Sequence, residues 1–251
     1  MLAPNEIAET AVAVSEKKAG LKWWKMILLG MFAGAFIALA GVGATLANVY
    51  VGKIAGALVF PAGLAMVVVA GSELFTGNNL MITGLLASKI SLRKMLKNWS
   101  LVFIGNLIGA LIVTGLVTVS GVLDSVAETV ITVANAKVGM GFFEAMIKGV
   151  LCNFLVCIAV WMSFAARTVG GKIAAVFFPV MLFVLCGFEH SVANMFYVPA
   201  GMVMSSFTGI YGPSVAGFLV GNLLPVTLGN IIGGALMVGG GYYLIYLRKQ
   251  K

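Results

Sequence analysis

Two stretches decide how this chain folds: Gly71-Ser72-Glu73-Leu74-Phe75-Thr76-Gly77-Asn78 and Gly187-Phe188-Glu189-His190-Ser191-Val192-Ala193-Asn194. Each interrupts a run of apolar residues, and each sets a carboxylate and an Asn five positions apart. The second holds the one histidine in the chain. Polar and ionisable groups at membrane depth are costly, so such breaks mark function. Two of them, in corresponding places of two halves, point to a substrate path near the membrane midplane.

The composition sets the solvent. Of 251 residues, 61% are hydrophobic and 10% are charged, with a mean hydropathy of +1.08. Soluble domains carry about 25% charged residues, so the chain reads as an all-α polytopic membrane protein with no soluble domain beside its spans. Met1 to Gly20 lacks the positive start and short apolar core of a cleavable signal peptide. Cys152, Cys157 and Cys186 lie in apolar runs and read as small hydrophobes. One His and no clustered Cys give no reason to expect a metal site, and no cofactor is expected.

A net charge of +8 suggests nucleic acid until its distribution is read. Lys17, Lys18, Lys22 and Lys25 precede the first apolar run; Lys89, Arg93, Lys94 and Lys97 form a second cluster. Arg167 and Lys172 flank a third break, and Arg248, Lys249 and Lys251 close the chain. These clusters alternate with segments poor in Lys and Arg, the positive-inside pattern. It excludes a nucleic-acid role and predicts a multi-pass protein of the inner (plasma) membrane with both termini cytoplasmic.

A crossing needs about 20 apolar residues. The runs predict spans near 26–49, 55–73, 99–122, 142–165, 173–189 and 215–246. The second is interrupted at Glu73 and followed by a half-length piece, 80–87. The fifth is interrupted at Glu189-His190-Ser191 and resumes over 193–206 with Pro199. A loop carrying Asp124, Glu128 and Lys137 follows the third span. Gly105-Asn106 in the third span and Gly229-Asn230 in the sixth mark the two halves as repeats. Three spans plus three spans cross in opposite senses, so the repeat is inverted. Gly30, Gly34, Gly229, Gly233 and Gly234 suit close helix packing. Gly71, Gly77 and Gly187 sit where the backbone must leave the helix. The expected organisation is an amphipathic cytoplasmic segment 1–25, a channel domain 26–247 and a cytoplasmic tail 248–251.

Irregular backbone at membrane depth occurs only where it is buried in protein or lines a cavity. Leu74-Phe75-Thr76 is therefore expected to line a pore, with the following half-helices aiming amide donors at it. Thr76 and Ser191 can add hydroxyl donors. Glu73, Asn78, Glu189 and Asn194 read as the scaffold of the breaks. His190 is the group that titrates near neutrality and the candidate for the path itself. Lys137 is expected near water, with no partner in sequence. Lys148 follows Glu144 by four residues, so it either forms a helix ion pair or lends positive potential to an anion vestibule.

These residues resemble a family. Val68 to Gly77 is similar to a signature of the formate/nitrite transporter family, as are Gly149 to Ala159, which contains Asn153, Gly187 to Met195, and Pro225 to Asn230. The resemblance runs from about Lys22 to Arg248. It implies an aquaporin-like protomer of six helices, with helices two and five interrupted, assembled as a homopentamer with one pore per subunit. By motif position, Leu74 and Phe183 would form an outer constriction, Leu64 and Phe75 an inner one, and Thr76 a mobile loop between them. His190 would be the central polar residue and Lys137 a vestibule lysine, while Asn153 would join the scaffold. Pro199 is similar to formate members; Ser72-Glu73 and Lys148 are similar to nitrite members.

The implied function is passage of small monovalent anions of weak acids: formate, nitrite or hydrosulfide. The implied partners are those anions, protons, membrane lipid and further copies of the chain. Protonation of the anion near His190 is one mechanism; a purely electrostatic channel is its rival. An integral-membrane enzyme is a remote alternative, because one His and dispersed Cys supply no nucleophile–base pair. The N-terminal segment, with Trp23, Trp24 and its lysines, fits an interfacial anchor; a gate beneath the pore is the other reading.

Overall fold

Apolar runs of this length satisfy their backbone groups within the membrane by forming helices. The computed structural model describes residues 1–248, and all its regular elements among them are helical. Lys249 and Lys251 of the last basic cluster lie outside the described residues. In order, the elements are α1 (Pro4–Ala19), α2 (Trp23–Tyr50), α3 (Lys53–Ala70), α4 (Phe75–Asn78), α5 (Ile82–Leu86), α6 (Leu92–Val119), α7 (Ala127–Val138), α8 (Phe142–Ala165), α9 (Val169–Cys186), α10 (Ser191–Thr208) and α11 (Gly217–Tyr246). Helices α2, α3, α6, α8, α9 and α11 are each long and apolar enough to cross a membrane, giving the six expected spans.

The two interruptions fall where the sequence places them. Helix α3 ends on Gly71 at φ +83° and α9 on Gly187 at φ +70°, both left-handed caps that glycine adopts without strain. Gly77 differs from expectation: it lies inside α4, with ordinary helical φ, against Val160. The second crossing finishes through α4, a 3₁₀ turn at Asn79–Met81 and α5; the fifth finishes through α10.

The segment after the third span is not a loop. Ala127, Val130, Ile131 and Ala134 are buried at helical spacing along α7. That short stripe holds a 12-residue helix against α10. Its β-branched residues lower intrinsic helix propensity, so tertiary packing decides the outcome. Helix α7 thus precedes the second half as α1 precedes the first.

The N-terminal segment also differs from the anchor reading. The apolar face of α1, including Ile7, Ala8, Ala11 and Val12, is buried against the protein, packing on α5 and α8. It is not free to enter lipid. The aromatic pair belongs to α2, where Trp23 and Trp24 are exposed and Lys25 Nζ lies 5.5 Å from the Trp24 ring.

The halves are built alike. Helix α2 packs on α6 and α8 packs on α11 through glycines. A Cβ on Gly34 would enter the Asn106 backbone, and one on Gly109 would enter the Met31 carbonyl. In the second half, Gly229 meets the Met146 carbonyl and Gly233 that of Val150. Part of α11 is wound as π-helix, over Gly217–Leu223 and Ile232–Gly240. Because backbone faces backbone at Gly229, a methyl group there has no flexible side chain to displace. Gly229→Ala should cost about 1–3 kcal/mol, seen as a lower thermal unfolding midpoint in detergent; an unchanged midpoint would show that the two spans can part freely.

Candidate functional site

A carboxylate buried in a helix break needs a counter-charge and donors for its lone pairs. At the second break, Lys137 Nζ donates to Glu189 Oε1 (2.8 Å) and Oε2 (3.0 Å), and Asn194 Nδ2 donates to Oε2 (2.6 Å). Asn194 Nδ2 also reaches Asn222 Oδ1 (2.7 Å), and Asn222 Nδ2 returns to the Lys137 carbonyl (2.8 Å). The ring closes on itself. Asn230 ties the backbone: its Nδ2 donates to the carbonyls of Glu189 (3.0 Å) and Gly149 (2.8 Å), and its Oδ1 accepts the Ser191 N–H (2.9 Å).

The first break repeats this arrangement, with one lysine–carboxylate bond in place of two. Lys18 Nζ donates to Glu73 Oε1 (2.8 Å), and Asn78 Nδ2 donates to Glu73 Oε2 (2.7 Å) and Asn98 Oδ1 (2.8 Å). Asn98 Nδ2 returns to the Lys18 carbonyl (3.4 Å). Asn106 Nδ2 donates to the carbonyls of Glu73 (2.9 Å) and Gly30 (2.8 Å), and its Oδ1 accepts the Phe75 N–H (3.0 Å). Each short helix, α1 or α7, therefore delivers one lysine to one buried glutamate.

The centre is where the halves stop matching. Counting from each glutamate, His190 stands where the first break has Leu74. His190 caps α10, its Nδ1 accepting the Ala193 N–H (3.0 Å). The neutral ring then carries its hydrogen on Nε2, a tautomer assigned from this bond. Nε2 lies 2.9 Å from Thr76 Oγ1 and donates to it. Phe183 stacks on the imidazole at 5.9 Å and 13°. Asn153 stands one turn after Gly149, where the first half has Gly34 after Gly30. Its Nδ2 bridges the halves, donating to the Thr76 carbonyl (3.2 Å), Asn79 Oδ1 (2.9 Å) and the Asn230 carbonyl (2.7 Å).

Two cavities approach this centre. One, of about 420 Å³, opens on the face that carries α1 and is lined by Leu64, Leu74, Glu73, Asn78, Lys18 and residues of α1 among others. The other, of about 210 Å³, opens on the opposite face and is lined by Phe60, Phe183, His190, Glu189, Lys137 and Tyr197 among others. Leu64, Leu74, Phe183, His190 and Thr76 are all buried. The Thr76–His190 bond links a loop of the first cavity to a cap of the second.

This lining changes the expected pairing of gates. Leu64 and Leu74 both face the cavity on the α1 side, Phe183 faces the other, and Phe75 faces neither. Phe75 instead packs edge-on against Trp99 (6.1 Å) and Phe103 (5.0 Å), because its backbone is held by Asn106. Lys137 also departs from expectation. It has a partner in Glu189, and its side chain is 15% exposed, at the wall of the cavity. It sits in the last turn of α7, with Nζ 5.3 Å from the Tyr197 ring. Lys148 is not brought to the path. It pairs with Glu144 (2.7 Å) on the outside of α8, with side chains 36% and 54% exposed. Only its carbonyl reaches the break, accepting the Glu189 N–H (3.3 Å). Ser191 is buried with its hydroxyl unpartnered and lines neither cavity.

Asn98 and Asn222 escaped the sequence reading, Lys18 entered it only as part of a basic cluster, and Asn106 and Asn230 only as repeat markers. The signal was present in their spacing. Asn98 and Asn106 are eight apart, as are Asn222 and Asn230; Lys18 precedes Leu29 by eleven, as Lys137 precedes Lys148.

A family profile described as Formate/nitrite transporter matches residues 5–244. The chain belongs to the formate/nitrite transporter family. It is 41% identical over 265 residues to the uncharacterized transporter YrhG of Bacillus subtilis, covering 99% of this chain and 95% of that one. It is 37% identical over 274 residues to the formate channel FocA of Escherichia coli K12, covering 100% of this chain and 96% of that one. Among solved structures, a pentameric formate channel with formate bound superposes with a TM-score of 0.79 at 34% identity, covering 90% of this chain and 98% of that one. Membership in this family makes the chain a membrane transport protein rather than an enzyme.

The geometry ranks the ion pairs. Removing one partner of a buried pair costs about 3–5 kcal/mol, whereas an exposed pair contributes about 0–1 kcal/mol. Glu189→Gln should therefore lower the unfolding midpoint far more than Glu144→Gln, and Lys137→Met in the same chain should restore part of the loss. Equal midpoints for the two single variants would contradict this ranking.

Proposed function

We propose that this chain forms a pore for the small monovalent anions of weak acids, with formate, nitrite and hydrosulfide as the class. The observation that carries the reading is the Thr76–His190 bond, set in an apolar partition between two cavities. The names of the relatives support formate as the first substrate to test. The pentameric assembly of the formate channel it superposes on supports a homopentamer, and the cavities within a single chain support one pore per subunit. The basic clusters on the face that carries α1 support an orientation with both termini cytoplasmic in the inner membrane.

The partition explains why a proton matters. A naked anion among Leu64, Leu74 and Phe183 loses its hydration at a cost of many kcal/mol in the Born limit. The neutral acid loses far less. As the anion is desolvated its basicity rises, and a proton delivered through water, which the Nε2–H of the neutral His190 orders by hydrogen bonding, yields a neutral species that crosses. The Nδ1 cap favours this over an anion site built on a charged imidazole, because a hydrogen on Nδ1 would face the Ala193 N–H. Export is the same path reversed.

Helix α1 lies across the larger cavity, which Ala11, Val14 and Ser15 help to line. This supports the gate reading of the N-terminal segment over the anchor reading, since its removal would widen that mouth. Formate uptake into proteoliposomes tests the relay. Wild type should carry formate faster as pH falls, and His190→Asn should lose most of both the rate and the pH response. A variant with unchanged rate and pH profile would refute the proton role of His190.

A further inference from the structure

The lysines deepest in the two cavities are not the ones that can attract an anion from a distance. Lys137 and Lys18 each sit 2.8 Å from a buried carboxylate. Each pair carries no net charge, and the field of such a dipole falls away faster than that of a single charge. Lys18 also gives one N–H, and Lys137 two, to the carboxylates that hold the breaks.

Other lysines line the same cavities and form no ion pair among the described residues. Lys53 lines the cavity on the face opposite α1. Lys172 and Lys17 line the cavity on the α1 face. Lys53 and Lys172 occupy matching places. Lys53 is the first residue of α3 and Lys172 lies in the first turn of α9, the two helices that lead into the breaks. They precede Gly71 and Gly187 by 18 and 15 residues, a difference of about one turn that keeps them on one helix face. A cation at a helix N-terminus opposes the helix dipole, so local helix stability gives no reason for either. Basic residues collect on the α1 face in any case, which accounts for Lys172 alone. Lys53 stands on the face where lysines are scarce, so topology does not account for it.

We propose that Lys53 at one mouth, and Lys172 with Lys17 at the other, supply the charge that steers anionic substrate into the pore, while Lys137 and Lys18 serve the breaks. This rests on the reading of the chain as an anion pore. A fixed charge at the mouth of a low-dielectric cleft raises the local concentration of the opposite ion, and salt removes the effect. The Debye length is about 30 Å at 0.01 M salt and about 3 Å at 1 M. A passive pore obeys microscopic reversibility, so a weakened mouth slows dilute flux equally in both directions. Sidedness must therefore be read from the salt and not from the direction of flux.

The test is formate flux through the full-length protein in membrane vesicles of known orientation, with an impermeant salt varied on one face at a time. Lys53→Gln should lower flux about threefold or more when the face opposite α1 is at low salt, and high salt on that face alone should erase the deficit. Lys17→Gln with Lys172→Gln should behave the same way, but with salt on the α1 face. Lys53→Arg should retain wild-type flux, and Lys97→Gln, exposed away from both cavities, should change nothing. A deficit that persists at high salt would assign Lys53 a structural role and overturn the proposal. Wild-type flux and wild-type salt dependence in Lys53→Gln would also overturn it while leaving the pore reading intact. A wild-type protein that carries no formate, nitrite or hydrosulfide would remove the pore reading itself.

Discussion

A carboxylate buried beside a broken helix at membrane depth can stay only if its charge is matched and its lone pairs are filled. Glu73 and Glu189 meet that condition in the same way. Each takes one lysine and one asparagine on its carboxylate, and a second asparagine closes the ring onto the lysine carbonyl. The rest of the protein follows from housing these rings. Helices α1 and α7 exist to deliver the lysines. The glycine contacts between α2 and α6, and between α8 and α11, let Asn106 and Asn230 reach across to a neighbouring backbone. Without the rings the breaks would leave unpaired polar groups buried in the protein.

The inverted repeat builds a symmetric frame, and the proposed chemistry lies where symmetry fails. His190 replaces Leu74, so one break presents an apolar wall and the other a titratable ring. Asn153 replaces Gly34 and braces Thr76 against Asn230, which holds the loop hydroxyl opposite His190. Gly234 makes room for it, since a Cβ there would enter Asn153 Nδ2. The hydrogen bond at the centre is thus a contact between the two halves, and neither half could form it alone.

Much of this was legible in the sequence, for local reasons. Hydropathy marks the six spans, and Gly71 and Gly187 mark the breaks because only glycine takes that backbone without strain. The pairing of Glu with Asn five residues on is also local. What could not be read is set by distant contacts. Lys18 and Glu73 are 55 residues apart, and Lys137 and Glu189 are 52 apart. Helix α7 depends on α10 for its buried stripe, so it read as a loop. Phe75 sits next to the cavity-lining Leu74 in sequence, yet its side chain is turned toward Trp99 and Phe103 by packing. Lys148 offered two readings, and its place with Glu144 on the exposed side of α8 decides between them.

If the apolar partition passes only a neutral species, then each formate that crosses takes one proton with it and moves no net charge. Electrical recording on supported membranes bearing the protein, combined with a parallel measure of formate entry, gives the charge moved per formate. The ratio should be near zero under a pure formate gradient, with proton uptake matching formate uptake. One elementary charge moved per formate, with no accompanying proton, would contradict it and favour an electrostatic channel.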